Sequence, residues 1–445
     1  MARVKLRPDA AGERIGPFWI TPGWTRLNAA TVWAASFLTI GLAAFISFVQ
    51  PYLLTEVLQL PDAVQGRLTG SLGALQEIIV ICSASFFGVW SDRSGRRRVY
   101  YLGFLAMAAG FAIYPLADSV AELVLFRCVF ALGIAMAPLM LSACVVDAIQ
   151  EVSRGRWIAS NTLLQGLGVV TMSVLLAKMP AWFELRGVPP ASAIRYAFWM
   201  AAALALLAAA VVATGLPRLA PRNIRGAGRG AWRLVAQALG LARRNPSLGI
   251  AYGAAFIGRG DFTIVGVFFS LWLVQAGRDA GMSSAEALAT AGKLFGLMQG
   301  AAMLWAPVMG MVVDRLRRLD VLCLALAIAG VAYLAMGQVT RPFDASFIPF
   351  ALLLGIGEMS VIVAAGALLG QEAPQENRGP VIGFYNAVGG VGILFATFVG
   401  GQVFDGIGRT APFSLMGLLN LVLLAAALLV RLRAARSART VPSCN

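Results

Sequence analysis

Five ionisable side chains stand inside long apolar runs: Glu77, Arg127, Arg259, Asp261 and Glu358. A charge at the centre of a bilayer costs at least about 2.5–3.5 kcal/mol, so each is a functional candidate by default. A buried carboxyl can take up and release a proton, whereas arginine stays charged and can clamp a carboxylate or phosphate. The three acids outnumber the two arginines, leaving one acid over as a proton shuttle. Asp261 or Glu358 is the expected coupling group, with Arg127 or Arg259 as its switchable partner. Arg259 and Asp261 lie two positions apart, so on a regular helix they point about 200° from each other and do not pair. Gly258 and Gly260 lower the cost of bending there. Together they predict a hinge, or a cavity-lining kink, with both charges turned to a central cavity or a partner helix. The alternative is a structural pair with a neighbouring helix, such as Asp261 with Arg127.

A second pattern is a charged turn that occurs twice. Gly88-Val89-Trp90-Ser91-Asp92-Arg93-Ser94-Gly95-Arg96-Arg97-Arg98 returns 222 residues later as Gly310-Met311-Val312-Val313-Asp314-Arg315-Leu316-Arg317-Arg318. Arg154-Gly155 similarly matches Arg378-Gly379, each after a polar approach (Asp147 to Glu151; Gln371 to Glu376). Repeats at a fixed offset mark a duplicated architecture.

The elements that must hold these groups are helices in lipid. The chain is 59% hydrophobic and 13% charged, against roughly 45–50% and about 25% for a soluble domain. The excess gathers into twelve apolar segments near 27–50, 66–91, 98–118, 121–147, 157–179, 194–215, 247–275, 286–312, 320–338, 346–371, 379–403 and 411–431. Each is long enough to span a bilayer core. Unpaired backbone is too costly in lipid, and the alternation of a barrel strand is missing, so the spans are helical. The expected organisation is a tail over 1–26, a six-helix bundle over 27–215, a basic linker over 216–246, a second bundle over 247–431 and a tail over 432–445. The linker carries seven arginines. Trp232, Leu234, Val235, Leu239 and Leu241 give it the greasy side of a surface helix; a flexible basic connector is the other reading. Two bundles of the same orientation need a pseudo-twofold axis along the membrane normal, the arrangement of transporters that rock one half against the other.

The +15 charge does not indicate nucleic acid, because the arginines sit between spans. With both termini cytoplasmic, the inner segments hold 26 of the 36 Lys and Arg, as the positive-inside rule requires. Residues 1–26 show no apolar core followed by a cleavage site, so no removable signal peptide is expected. The five cysteines lack disulfide or metal spacing and read as small apolar side chains. No metal or cofactor is expected. With no histidine, the familiar His-dependent triads and zinc sites are excluded. No nucleotide-binding loop is evident.

The first charged turn resembles the signature of the major facilitator superfamily, Gly-x-x-x-Asp-Arg-x-Gly-Arg-Arg. Gly88, Asp92, Arg93, Gly95, Arg96 and Arg97 match every fixed position. Gly310, Asp314 and Arg315, with Arg317 and Arg318, form the decayed second copy, and Gly400 to Gly406 resembles the end of the family's eleventh helix. The resemblance covers about residues 27 to 432 and implies an all-α membrane protein of twelve helices in two pseudo-symmetric six-helix bundles. It implies that Asp92 caps a helix in the other half and that the arginines pair with acids as a gate. Topological anchoring alone is the plainer reading. Gly88 is expected to allow close helix approach. Arg127 matches the fourth-helix motif only in part, and the helix-5 antiporter signature is missing. A cavity lined by helices 1, 4, 7 and 10 is implied, with Trp33, Ser36, Thr39, Ser47, Gln50, Tyr252 and Ser360 among its candidates. The expectation is a proton-coupled carrier of a small, anionic organic solute, acting as a monomer in a bacterial inner membrane. A drug exporter and a non-transporting sensor are the alternatives.

Overall fold

The computed structural model describes residues 12–218 and 231–439. The linker residues Arg222, Arg225 and Arg229, the outer ends of both tails and Cys444 lie outside them. Within the described residues the chain forms α1 (Arg26–Glu56), α2 (Asp62–Ser94), α3 (Arg96–Ile113), α4 (Val120–Asp147), α5 (Arg154–Ala177), the short α6 (Met179–Glu184) and α7 (Pro190–Gly215). There follow α8 (Ala231–Arg244), α9 (Pro246–Asp279), α10 (Ser284–Arg315), α11 (Arg318–Gly337), α12 (Phe347–Glu372), α13 (Arg378–Gly406) and α14 (Ala411–Arg439). Twelve of these elements are long and apolar enough to cross a membrane, with α5 and α6 in one span and α8 in none.

Local chemistry sets the helix starts. Thr25 and Asn28 form a reciprocal capping box at α1, with Asn28 N–H donating to Thr25 Oγ1 at 3.3 Å and Thr25 N–H to Asn28 Oδ1 at 2.8 Å. Ser119 caps α4 by accepting the Glu122 N–H at 3.2 Å. Proline stands in the first turn of α7 and α9, where its missing N–H costs nothing. Between α2 and α3 the chain turns at Gly95, whose φ of +90° favours glycine. The second copy turns through an extended Arg317, φ −64° and ψ 127°, so its loss of glycine carries no strain.

Two compact units result. One holds the chain through Leu60 with Leu75–Arg225 and Ser283–Gly292; the other holds Pro61–Ala74, Gly226–Met282 and Lys293–Asn445. In the first, α1 packs on α5 and α7, and α3 on α4 and α7; in the second, α9 packs on α13 and α14, and α11 on α12 and α14. The same pairing at the same positions carries the duplication into packing. The units differ from the expected halves, 27–215 and 247–431, at two places: the first turns of α2 and of α10 are exchanged. Polar contacts explain it. Asp62 Oδ1 lies 2.8 Å from Arg278 Nη1 in the second unit, and Ser284 Oγ donates to Glu56 Oε1 at 2.5 Å in the first.

Two further elements differ from expectation. The stretch before α1, read as a tail, folds into an antiparallel hairpin of β1 (Arg14–Ile15) and β2 (Phe18–Trp19). It docks on the loop after α4: Gln150 N–H donates to Trp19 O at 2.9 Å, Trp19 N–H to Ser153 Oγ at 2.9 Å, and Ile20 bridges Ile149. Phe18 packs edge-on against Trp33 and Trp157 at 5.8 and 5.4 Å. In the linker, the surface-helix reading fits better than the connector: α8 is helical and packs on α9 and α13, with Gln237 Nε2 donating to Asn377 Oδ1 at 2.6 Å. Of the cysteines, Cys144 and Cys323 are buried, Cys128 is half-buried and Cys82 is exposed.

Candidate functional site

The second unit holds two acids sealed in its interior. Asp261 on α9 is 0% exposed and Glu358 on α12 is 1% exposed. Asn420 of α14 reaches Asp261 with one amide nitrogen, donating to Oδ1 at 3.1 Å and Oδ2 at 3.0 Å. Gln299 of α10 hydrogen-bonds Glu358. Arg259 takes the opposite course. It is exposed and donates to Asn386 Oδ1 at 3.1 Å, as the 200° separation requires. Among the described residues of this unit, neither acid is paired with an arginine. The chain does not unwind at Gly258 and Gly260, since Pro246–Asp279 is one continuous α-helix. The two glycines serve close approach instead. A Cβ at Gly260 would stand 2.8 Å from Met416 Cε on α14, and one at Gly258 would stand 3.3 Å from Val361 Cγ1 on α12.

The first unit shows the complementary arrangement. Arg127, on α4, is 2% exposed, and its partners are neutral: Nη2 donates to Ser47 Oγ at 3.1 Å and Nη1 to Gln50 Oε1 at 3.3 Å. Tyr114 donates to the same Gln50 oxygen at 2.9 Å. The guanidinium lies 5.8 Å from the Tyr114 ring and 5.6 Å from the Phe130 ring, a cation–π arrangement that spreads the buried charge. Its Nε has no acceptor among the described residues. Inside its own unit the acid is met by an amide, and the cation by hydroxyl, amide and ring. Glu77, on α2, is buried in the same unit as Arg127.

The first charged turn borders a cavity of about 770 Å³ in the first unit, lined by Asp92, Arg93, Gly95, Arg96, Arg97 and others. Arg96 is ion-paired with Asp147, both about one-fifth exposed, and Arg97 Nη1 donates to Leu216 O at 3.4 Å. Gly88 does not mediate close approach: a Cβ there, or at Gly310, would meet nothing within 4 Å. In the second copy Arg318 donates to Ala367 O at 3.2 Å; the position matching Asp147 is Gln371, and the arginine turns to a carbonyl instead. Asp314 and Arg315 flank that turn.

Sequence reasoning missed a cluster at the start of α2. Asp405 accepts the backbone N–H of Gly66 at 2.9 Å and of Arg67 at 2.7 Å. Asp62 meets Arg278 and, at 3.4 Å, Arg409, which is also paired with Asp279. Asn420, Gln299 and Tyr333 were missed as well; amides deep in apolar segments were the available signal. Three of the candidate cavity hydroxyls tie helices together instead. Ser36 donates to Asn161 Oδ1 at 2.7 Å, Thr39 shares a hydrogen bond with Tyr100 at 2.7 Å, and Ser360 accepts from Trp305 at 2.8 Å. Trp33 Nε1 donates to Ser160 Oγ at 3.2 Å, and Tyr252 packs edge-on against Phe384 at 4.8 Å.

Comparison with known proteins places this arrangement. Residues 31–339 and 279–443 match the sequence profile of the Major Facilitator Superfamily. The magnetosome protein MamH of Paramagnetospirillum magneticum is 29% identical over 398 residues, covering 87% of this chain and 89% of that protein. The magnetosome protein MamZ of Magnetospirillum gryphiswaldense is 28% identical over 406 residues, which is 87% of this chain and 60% of the longer relative. Among solved structures, a variant of the nucleoside transporter NupG superposes with a TM-score of 0.73 at 13% identity, covering 91% of this chain and 99% of that one. A proton-dependent oligopeptide transporter superposes at 0.67, also at 13% identity, covering 92% and 99%. At that identity the structural likeness speaks for the fold.

Proposed function

The chain belongs to the major facilitator superfamily, and from that premise we propose that it is a secondary active transporter. It carries a small organic solute by alternating access, driven by a proton gradient with no cofactor, and works as a monomer with both termini cytoplasmic. Family and fold are those of a transporter rather than an enzyme.

One observation carries the coupling reading: Asp261 and Glu358 are sealed in one bundle with amide partners and, among its described residues, no arginine partner. A buried carboxyl so placed changes charge when a proton arrives or leaves, and that change can be linked to a change of conformation. Arg127, with its unfilled Nε, is the counterpart group for an anionic solute. The test is reconstitution in liposomes under an imposed pH gradient, with labelled metabolite pools. Asp261→Asn or Glu358→Gln should abolish gradient-driven accumulation while leaving solute exchange. Full accumulation in both variants ends the coupling reading. Resistance of a sensitive host to amphipathic compounds would select the exporter alternative. Tolerance of every buried-charge substitution would select the non-transporting sensor.

The relatives named as magnetosome proteins, matched along 87% of this chain, favour a magnetosome membrane over the cell membrane as its place of action. A fluorescent fusion imaged in a magnetosome-forming host separates the two.

A further inference from the structure

Four helices of the second unit close into a ring around the buried acids. Gly260, beside Asp261, brings α14 against α9, and Gly258 brings α12 against α9. A Cβ at Gly357, beside Glu358, would stand 2.8 Å from Ala329 Cα on α11, and one at Gly417 would stand 2.8 Å from Leu334 N on α11. The ring therefore closes through α9, α14, α11 and α12, each pair in contact. Its interior carries Asp261, Asn420, Tyr333 and Glu358, one from each helix, all at most 1% exposed. Tyr333 lies within electrostatic reach of both carboxyls, and the carboxyls within reach of each other.

The polar groups inside this ring do not balance. Asn420 Nδ2 serves both Asp261 oxygens and Met416 O, the last at 3.0 Å. Gln299 serves Glu358. Glu358 Oε2, Asn420 Oδ1 and the Tyr333 hydroxyl are buried with no partner among the described residues. Buried polar atoms are normally paired, and oxygen acceptors outnumber donors here. Arg259, the nearby cation on α9, is turned outward to Asn386. From α13 the neighbours beside Gly260 are Ala396 Cβ and the Gly392 carbonyl oxygen, neither of them a donor. A single partner shared by these oxygens would have to accept electron pairs from several at once. A proton bridges two oxygens at most; a coordinated cation takes four or more. An all-oxygen donor set selects a hard cation.

We propose that this four-helix junction binds one hard inorganic cation through Asp261, Glu358, Asn420 and Tyr333, in competition with the proton. Binding stands independently of transport; only its role as the coupling ion rests on the reading above.

The test uses the full chain in phosphatidylcholine nanodiscs. Thermal unfolding is followed as sodium chloride replaces N-methylglucamine chloride at constant ionic strength, at mildly alkaline and mildly acidic pH. A second series uses magnesium chloride. The expected result is a saturable rise in melting temperature that requires a higher cation concentration at acidic pH. Glu358→Gln should raise the half-saturating concentration by about 10–100-fold, and Tyr333→Phe by a smaller factor. If Glu358→Gln fails to fold, Tyr333→Phe carries the test. Protection by magnesium and not sodium keeps the site and identifies a divalent occupant. A response to pH alone, with neither salt protecting, overturns the proposal, as does unchanged cation affinity in both variants. Cation binding without gradient-driven flux in liposomes keeps the site and removes the coupling reading.

Discussion

Asp405, at the end of α13, accepts the backbone N–H of Arg67, near the start of α2, at 2.7 Å. A carboxylate is favoured near a helix N-terminus by the unpaired N–H groups and the helix dipole. The Asp62 network with Arg278 and Arg409 fastens the same turn. Asp405→Ala should therefore cost about 0.5–2 kcal/mol, the range for loss of a helix-capping side chain. It should also increase labelling of a cysteine placed at the half-buried Leu68. Asp405→Asn, which keeps an acceptor oxygen, should fall between the two. Melting in detergent and maleimide labelling rates check this; an Asp405→Ala protein with unchanged labelling would separate Asp405 from any fastening role.

Arg96 and Asp147 bear a different relation, because both are partly exposed beside a cavity. Solvent weakens such a pair to about 0–1 kcal/mol. Arg96→Gln and Asp147→Asn should each change stability by less than about 1 kcal/mol yet reduce transport strongly if the pair holds one conformational state. The exchanged double variant, Arg96→Asp with Asp147→Arg, should recover part of the transport rate. A double-mutant cycle on both rate and melting temperature distinguishes a gate from an anchor: an anchor would show additive rates.

The twelve spans were legible because lipid imposes a length and a composition on every one of them. The buried acids were legible for the same reason, since a carboxyl among leucines and alanines announces its cost. Their partners were not. Asn420 carries no charge, and nothing local says that a residue on α14 faces one 159 positions earlier. Gly258 and Gly260 show the limit of local reasoning. Glycine permits bending, but here the neighbouring helices use the missing side chain for contact. The hairpin at Arg14–Trp19 was invisible because its strands are two residues long and dock on a loop more than a hundred positions away.

That hairpin covers Trp157 and Trp33 with Phe18 and is held by Ser153. Aromatic pairs of this geometry contribute about 0.5–1.5 kcal/mol each beyond their buried area. Phe18→Ala should therefore lower stability by about 1–3 kcal/mol and Ser153→Ala by about 1 kcal/mol. Phe18→Ala should also raise the quenching of Trp157 fluorescence by iodide. A variant with unchanged melting and quenching would show that the hairpin is not seated on α1 and α5 in the membrane.

Asn420 and Asp261 supply the sharpest energetic contrast. Asn420→Leu removes the donor that both Asp261 oxygens share and leaves a sealed carboxyl without its protein donor. Loss of a hydrogen bond to a charged group costs about 1.5–3 kcal/mol, and stranding a buried charge costs more, about 3–5 kcal/mol. The expected melting loss lies in that span if Asp261 is ionised and below it if the carboxyl carries a proton. Adding Asp261→Leu to Asn420→Leu should restore most of the lost stability, because apolar replacement of a buried polar pair is often neutral or better. Transport should stay abolished in the double variant. Recovery of stability without transport assigns the pair to function; a double variant as unstable as Asn420→Leu alone assigns it to packing of α9 against α14.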